Sequence, residues 1–189
     1  MIRGVEKVRE RMLRAVKALE ASDVPYAVVG GNAVAAWVSR VDEAAVRNTR
    51  DVGILLRRAD FEAAKRALEA AGFIYRRVAS LGKAESLDLF LDGSGASARD
   101  AVHVVFATEK VREDSLWSAP DVSKSEEADQ FRIVALDALV KMKLTAFRDK
   151  DRTHLRDLIE VGLLDPSALD RLPTELRARL QTLFDTPEG

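Results

Sequence analysis

Two adjacent glycines, Gly30 and Gly31, close the apolar run YAVV, and Asp51 opens a second apolar run, DVGILL, further along the chain. A glycine pair removes Cβ atoms where an anion must approach the main chain, and the amides at the start of a following helix favour negative charge. That pairing could cradle phosphate beside a carboxylate. Taken alone, the turn reads equally as a tight strand-to-helix connection with no ligand. A second constellation is basic: Lys141, Lys143, Arg148, Lys150, Arg152 and Arg156 fall within sixteen residues whose only acids are Asp149 and Asp151. Its local excess of positive charge suits a triphosphate, or else a solvated helix face whose lysine stems cover apolar neighbours.

Composition limits the alternatives. The chain has 189 residues, with 30 Lys and Arg against 31 Asp and Glu, so its net charge of -1 gives no bulk attraction to nucleic acid. Any polyanion site must be local. There is no cysteine and there are two histidines, His103 and His154, which removes disulfides, thiolate catalysis and multi-histidine metal sites. A metal would sit mainly on carboxylate oxygen. No apolar run approaches the roughly 20 residues that span a bilayer, and the N-terminus lacks a signal-peptide core, so a cytoplasmic protein without a membrane span is expected.

The elements that must position these groups follow from periodicity. Val5, Val8, Met12, Ala15, Val16 and Leu19 recur at helical spacing and predict a surface helix over residues 3–21. YAVVGG then predicts a strand and turn, with Asn32 as N-cap of a helix from Ala33. DVGILLR predicts a second strand, and ADFEAAKRALEAAG a helix capped by Asp60 and stopped at Gly72. FIYRRVA, LDLFLD and AVHVVFA predict three more strands, and strands running consecutively imply a mixed sheet. The period disappears from Thr108 to Gln130, which reads as a loop at the domain edge. Two helices are expected from Phe131 onward, and a last one capped by Thr174.

The glycine turn, the helix and the Thr-x-Asp strand together resemble the nucleotidyltransferase superfamily, in which a Gly-Gly or Gly-Ser turn precedes a strand bearing Asp-x-Asp. GGNAVAAW and NTRDVGILLRRADF carry the likeness; the closest look is to the AbiEii-like, abortive-infection toxin group, to which LVKMKLTAFRDKDRTHLRDL is also similar. The resemblance implies an α+β fold, a nucleotidyltransferase-like mixed β-sheet flanked by helices with a C-terminal helical segment. It divides the chain into a core with the N-terminal helix over 1–107, a connecting loop over 108–130 and a helical region packed on the core over 131–189. It also implies an NTP as substrate or ligand, Mg2+ anchored by Asp51, phosphates held by Gly30, Gly31, Asn32, Arg50 and Lys150, and developing charge offset by Lys143. The acceptor would be a hydroxyl on a tRNA end, a protein or a small molecule.

One position departs from that pattern. Side chains two apart on a strand point to one face, so Asp-x-Asp can hold two ions about 3.5–4 Å apart. Here the second position is Gly53, which offers no ligand. The third acid expected on a later strand falls by strand order on His103, or else on Asp88 or Asp92. Two functions therefore stand side by side: an NMP-transferring enzyme, and a catalytically degenerate binding module, either a toxin-antitoxin partner or a regulatory protein. An antitoxin is a candidate partner in both.

Overall fold

The apolar stripe of the first helix, α1 (Ile2–Ala21), is buried as its spacing requires: Val8, Met12, Ala15, Val16 and Leu19 are covered, and of the charges between them Arg9, Glu10, Arg14 and Lys17 face water while Arg11 is buried on Asp92 and Asp100. Val5, counted in the same stripe, is exposed. The helix stops where Asp23 takes a left-handed conformation with φ +52°. The computed structural model describes residues 2–79 and 86–187. Met1, residues 80–85 and residues 188–189, which the expected domain ranges include, lie outside it.

After α1 the chain forms β1 (Tyr26–Val29), α2 (Gly30–Ser39), β2 (Val52–Leu56), α3 (Phe61–Ala70), β3 (Ile74–Ala79), β4 (Ser86–Leu91) and β5 (Ala101–Phe106). It continues through β6 (Ser125–Glu127), β7 (Arg132–Val134), α4 (Leu136–Ala146), α5 (Asp149–Glu160) and α6 (Thr174–Asp185). The strands form one seven-stranded sheet in the order β3-β4-β5-β2-β1-β7-β6. It is mixed: β2 runs antiparallel to β1 and parallel to β5, and β1 is parallel to β7. This is the mixed α+β sheet that the consecutive strands imply.

Alternation along the central strands divides the core. Ala27, Val29 and Leu55 pack with α2, α4, α5 and α6 on one face. Tyr26, Val28, Ile54, Leu56, Val102 and Phe90 pack with α1 and α3 on the other. Each face is fully buried in the centre, which is why β1 and β2 read as continuous apolar runs.

Several local expectations are corrected. The second helix begins at Gly30, not Ala33, so Asn32 sits inside its first turn and Val29 occupies the cap position. Gly30, at φ +74°, turns the strand straight into the helix, a conformation that costs glycine little. Asp60 makes no side-chain cap bond, because the short turn Arg58–Asp60 already has helical dihedrals and leads directly into α3. Pro173 holds the cap position of the last helix and Thr174 is its first residue. The stretch from Thr108 to Gln130 is not all loop: β6 pairs with β7 and adds to the sheet beyond β1. Three-residue strands as polar as Ser-Glu-Glu have too little length to show a period.

Candidate functional site

The α2 turn and the start of β2 meet through specific contacts. Asn32 Nδ2 donates to the Asp51 carbonyl at 2.8 Å, which ties the first turn of α2 to the residue that opens β2. A Cβ on Gly31 would lie 2.6 Å from Thr49 Oγ1 and 2.8 Å from Thr49 Cβ, so this glycine is required by packing within the chain. A Cβ on Gly30 would meet nothing within 4 Å. The space expected for an anion is thus open at Gly30 and filled by Thr49 at Gly31. No side chain caps α2, so its first amides lack the partners that capping supplies.

Asp51 lies at the surface, its side chain 54% exposed, and its carboxylate faces an ammonium: Lys150 Nζ stands 3.4 Å from Oδ2. Arg50 beside it is also exposed. By alternation Asp51 and Gly53 share the face on which α2, α4 and α5 pack. In register, Val29, Gly53, His103 and Leu89 form one row across β1, β2, β5 and β4. His103 therefore stands directly beside Gly53. Its Nε2 lies 3.2 Å from the Ala98 carbonyl, an acceptor only, so that nitrogen carries the proton and has no lone pair for a metal.

Asp88 and Asp92 are placed elsewhere. Asp88 alternates with Leu89, so it lies on the opposite face with Phe90; it is 8% exposed and accepts the Tyr75 hydroxyl. Burial, then that bond to Asp88, pushes the Tyr75 phenol up to about 12. Asp92 is bound by Arg11 and Arg14 of α1, and although burial alone would raise its pKa, the two guanidiniums hold it below the usual range. Neither carboxylate can join Asp51. Among the described residues no group of three or more His, Asp or Glu is placed to hold a metal ion. One exposed carboxylate beside an ammonium, with a glycine and an imidazole in place of oxygen ligands at the companion positions, does not fit the Mg2+ that the family resemblance implies.

The basic constellation is divided in two. Lys143 is not free to meet a ligand: it is 5% exposed, and its Nζ donates to Asp151 Oδ1 at 2.9 Å. Burial lowers its pKa, and Asp151 opposes the shift. The other Asp151 oxygen accepts from Arg148 Nε at 2.8 Å and from the Arg148 backbone N–H at 3.3 Å. Burial works to raise the Asp151 pKa, but Arg148 and Lys143 outweigh it and hold the carboxylate below its ordinary value. A buried ammonium needs that charged partner.

Between α4 and α5 the chain reverses at Phe147, left-handed at φ +47°, whose N–H closes on the Lys143 carbonyl. Arg152 and Arg179 flank its ring with charge centres 5.5 and 5.3 Å from the centroid. The corner fixes the first turn of α5, and with it Lys150. Farther along, buried Asp157 accepts from Arg47 Nε at 2.7 Å and ties the segment before β2 to the same helix. His154 lies partly buried in this region, its Nδ1 without a partner among the described residues. Burial, and then the Lys143 charge, lower its pKa to about 4.

The contacts of Thr49 with Gly31, Asp151 with Lys143 and Arg47 with Asp157 were not legible in the sequence, because each joins separate elements. A cavity of about 620 Å3 opens beside the site, with Asn32, Ala36, Thr49, Val8, Met12 and Phe131 among its walls. Its size is that of a small-molecule pocket.

No protein-family model and no curated protein matches this chain. Solved structures do. Over 95% of its length the chain is similar to 95% of the antibiotic-resistance factor ANT(2'')-Ia, at 14% identity and a TM-score of 0.54. It covers 98% of its length on 78% of a protein from H. pylori assigned as a nucleotidyltransferase, at 13% identity and a TM-score of 0.54. JHP933 from Helicobacter pylori matches 97% of the chain over 75% of its own, at 18% identity and a TM-score of 0.50. At such identities the likeness is one of architecture, and the architecture of this chain is the nucleotidyltransferase fold.

Proposed function

We propose that this chain binds the phosphates of a nucleoside triphosphate at the first turn of α2, beside Arg50 and Lys150, and is degenerate for nucleotidyl transfer. The observation that carries the reading is the row Gly53–His103 next to Asp51: where two further carboxylates would complete a two-ion clamp, one residue has no side chain and the other carries an imidazole in place of the carboxylate oxygens that Mg2+ prefers. The uncapped amides of α2, the open space at Gly30 and the two cations favour a polyanion. The cavity beside Asn32 and Thr49 has room for the nucleoside. Lys143 contributes by holding Asp151 and the start of α5, without touching the ligand.

Exposed Asp51 favours a second reading, a metal-dependent transferase acting on a hydroxyl of a tRNA end or a protein. Membership of the AbiEii-like group and an antitoxin partner belong to the proposal on either reading, on the strength of the motifs GGNAVAAW and LVKMKLTAFRDKDRTHLRDL, and a cytoplasmic location belongs to it on the lack of a signal-peptide pattern in the sequence. No helix among the described residues is long and apolar enough to cross a membrane.

Thermal unfolding with ATP, GTP, CTP and UTP tests binding; ligand at 100 times its Kd adds about 2.7 kcal/mol to stability. Radiolabelled NTPs with Mg2+ and total tRNA or protein acceptors test transfer. The degenerate reading expects a nucleotide-dependent shift and no label transferred. Label transfer abolished by Asp51→Ala would establish the second reading instead.

A further inference from the structure

The place where a divalent ion would neutralise Asp51 holds the ammonium of Lys150. From this we infer, on the footing of the polyphosphate reading above, that Lys150 replaces the metal and that the ligand binds as the free polyphosphate, without Mg2+. Lys150 comes from the first turn of α5, 99 residues away in sequence, and its Nζ stands 3.4 Å from Asp51 Oδ2. The helix that delivers it is anchored beneath: Asp151, the next residue, is buried between Lys143 and Arg148, and Asp157 holds Arg47. The turn that carries Lys150 is thus held by buried pairs, while the exposed pair that holds its ammonium would by itself contribute about 0–1 kcal/mol.

The donor set argues the same way. An incoming Mg2+ would find one carboxylate, already paired, with Gly53 and His103 beside it in place of acids and no metal-holding group among the described residues, and would keep most of its own water. It would also meet the positive charge of Lys150 and Arg50. A free triphosphate instead gains from both cations and from the amides of α2, and it carries more negative charge than its Mg2+ complex. Lys150 can leave Asp51 for a phosphate oxygen at small cost, because the ion pair is half exposed.

The full chain is titrated calorimetrically with ATP, and separately with inorganic triphosphate, once in EDTA and once in excess Mg2+. Mn2+ binding is followed in parallel by the loss of its free-ion EPR signal. The expected result is an affinity in EDTA equal to or above that in Mg2+, no uptake of Mn2+ by the ligand-free protein, and a loss of about tenfold or more in EDTA for Lys150→Ala, with Lys150→Arg retaining most of the affinity. Since Lys150 is exposed, both variants should keep the wild-type melting temperature, which is checked first. Binding that requires Mg2+, Mn2+ uptake by the ligand-free protein, or an unchanged EDTA affinity in Lys150→Ala overturns the inference and leaves the polyphosphate reading standing. Absence of binding in both buffers overturns that reading, and the inference with it.

Discussion

Replacing His154 with glutamine should remove a specific acid weakness from the corner that carries Lys150. Burial lowers the His154 pKa from 6.5 to about 4, with the Lys143 charge next in effect, Asp151 opposing it, and Lys150 and Arg47 adding to it. The unfolded chain therefore takes up a proton at this residue as pH falls through 6.5, whereas the native state resists until about 4. Stability must decline across that window and level off below it, because the unfolded state binds more protons. At about 1.4 kcal/mol per pH unit the ceiling is about 3 kcal/mol, and solvent reaching part of the ring reduces this to about 2 kcal/mol. The unpartnered Nδ1 is consistent with a neutral ring held away from water. Urea unfolding of wild type and His154→Gln at pH 7, 5.5 and 4 isolates the effect, since the carboxylates titrate alike in both. The wild type should lose about 2 kcal/mol more than the variant between pH 7 and 4. Parallel stability curves would refute the placement of a neutral imidazole in this cluster.

Three further outcomes follow from the site. Gly53→Asp restores a carboxylate on the face of Asp51, with its Cβ 3.1 Å from Val29 Cγ2; it should cost about 1–2 kcal/mol in urea unfolding and raise Mn2+ affinity about tenfold or more by EPR titration. Asp151→Asn leaves Lys143 buried without its countercharge and should destabilise the fold by about 3–5 kcal/mol, measured by urea unfolding at pH 7. Gly31→Ala forces its Cβ against Thr49 at 2.6 Å and should cost about 1–3 kcal/mol. Adding Thr49→Gly should restore most of that loss in a double-mutant cycle; equal losses in single and double variants would show that the contact is not the cause.

The central elements were legible because their signals are local. The stripe Val8, Met12, Ala15, Val16, Leu19 follows the helix period, and YAVV and DVGILL are apolar runs broken by glycine, as strands buried on both faces must be. Gly30 and Asp51 sit at the same end of the paired central strands β1 and β2, and Gly53 is recognisable as a missing carboxylate from the sequence. By contrast, β6 is hidden because three polar residues carry no period, β7 because Arg-Ile-Val is too short to stand apart from the helix that follows it, and the start of α2 lies three residues before Ala33 because a glycine at positive φ can enter a helix directly.

What the residues alone determined was the composition of the site: a glycine turn, one aspartate followed two residues on by a glycine, and a cluster of cations, with Asp88 and Asp92 still open as further acids. Which of those groups are free was decided by the tertiary structure. Lys143 and Lys150 are indistinguishable in a charge run, yet one is buried on Asp151 and the other meets Asp51. Asp88 and Asp92 alternate correctly for a shared face, but strand pairing puts that face against α1 and α3, away from Asp51. The reason is physical: periodicity reports which side of an element is apolar, whereas the partner of a charge depends on which distant element packs opposite it.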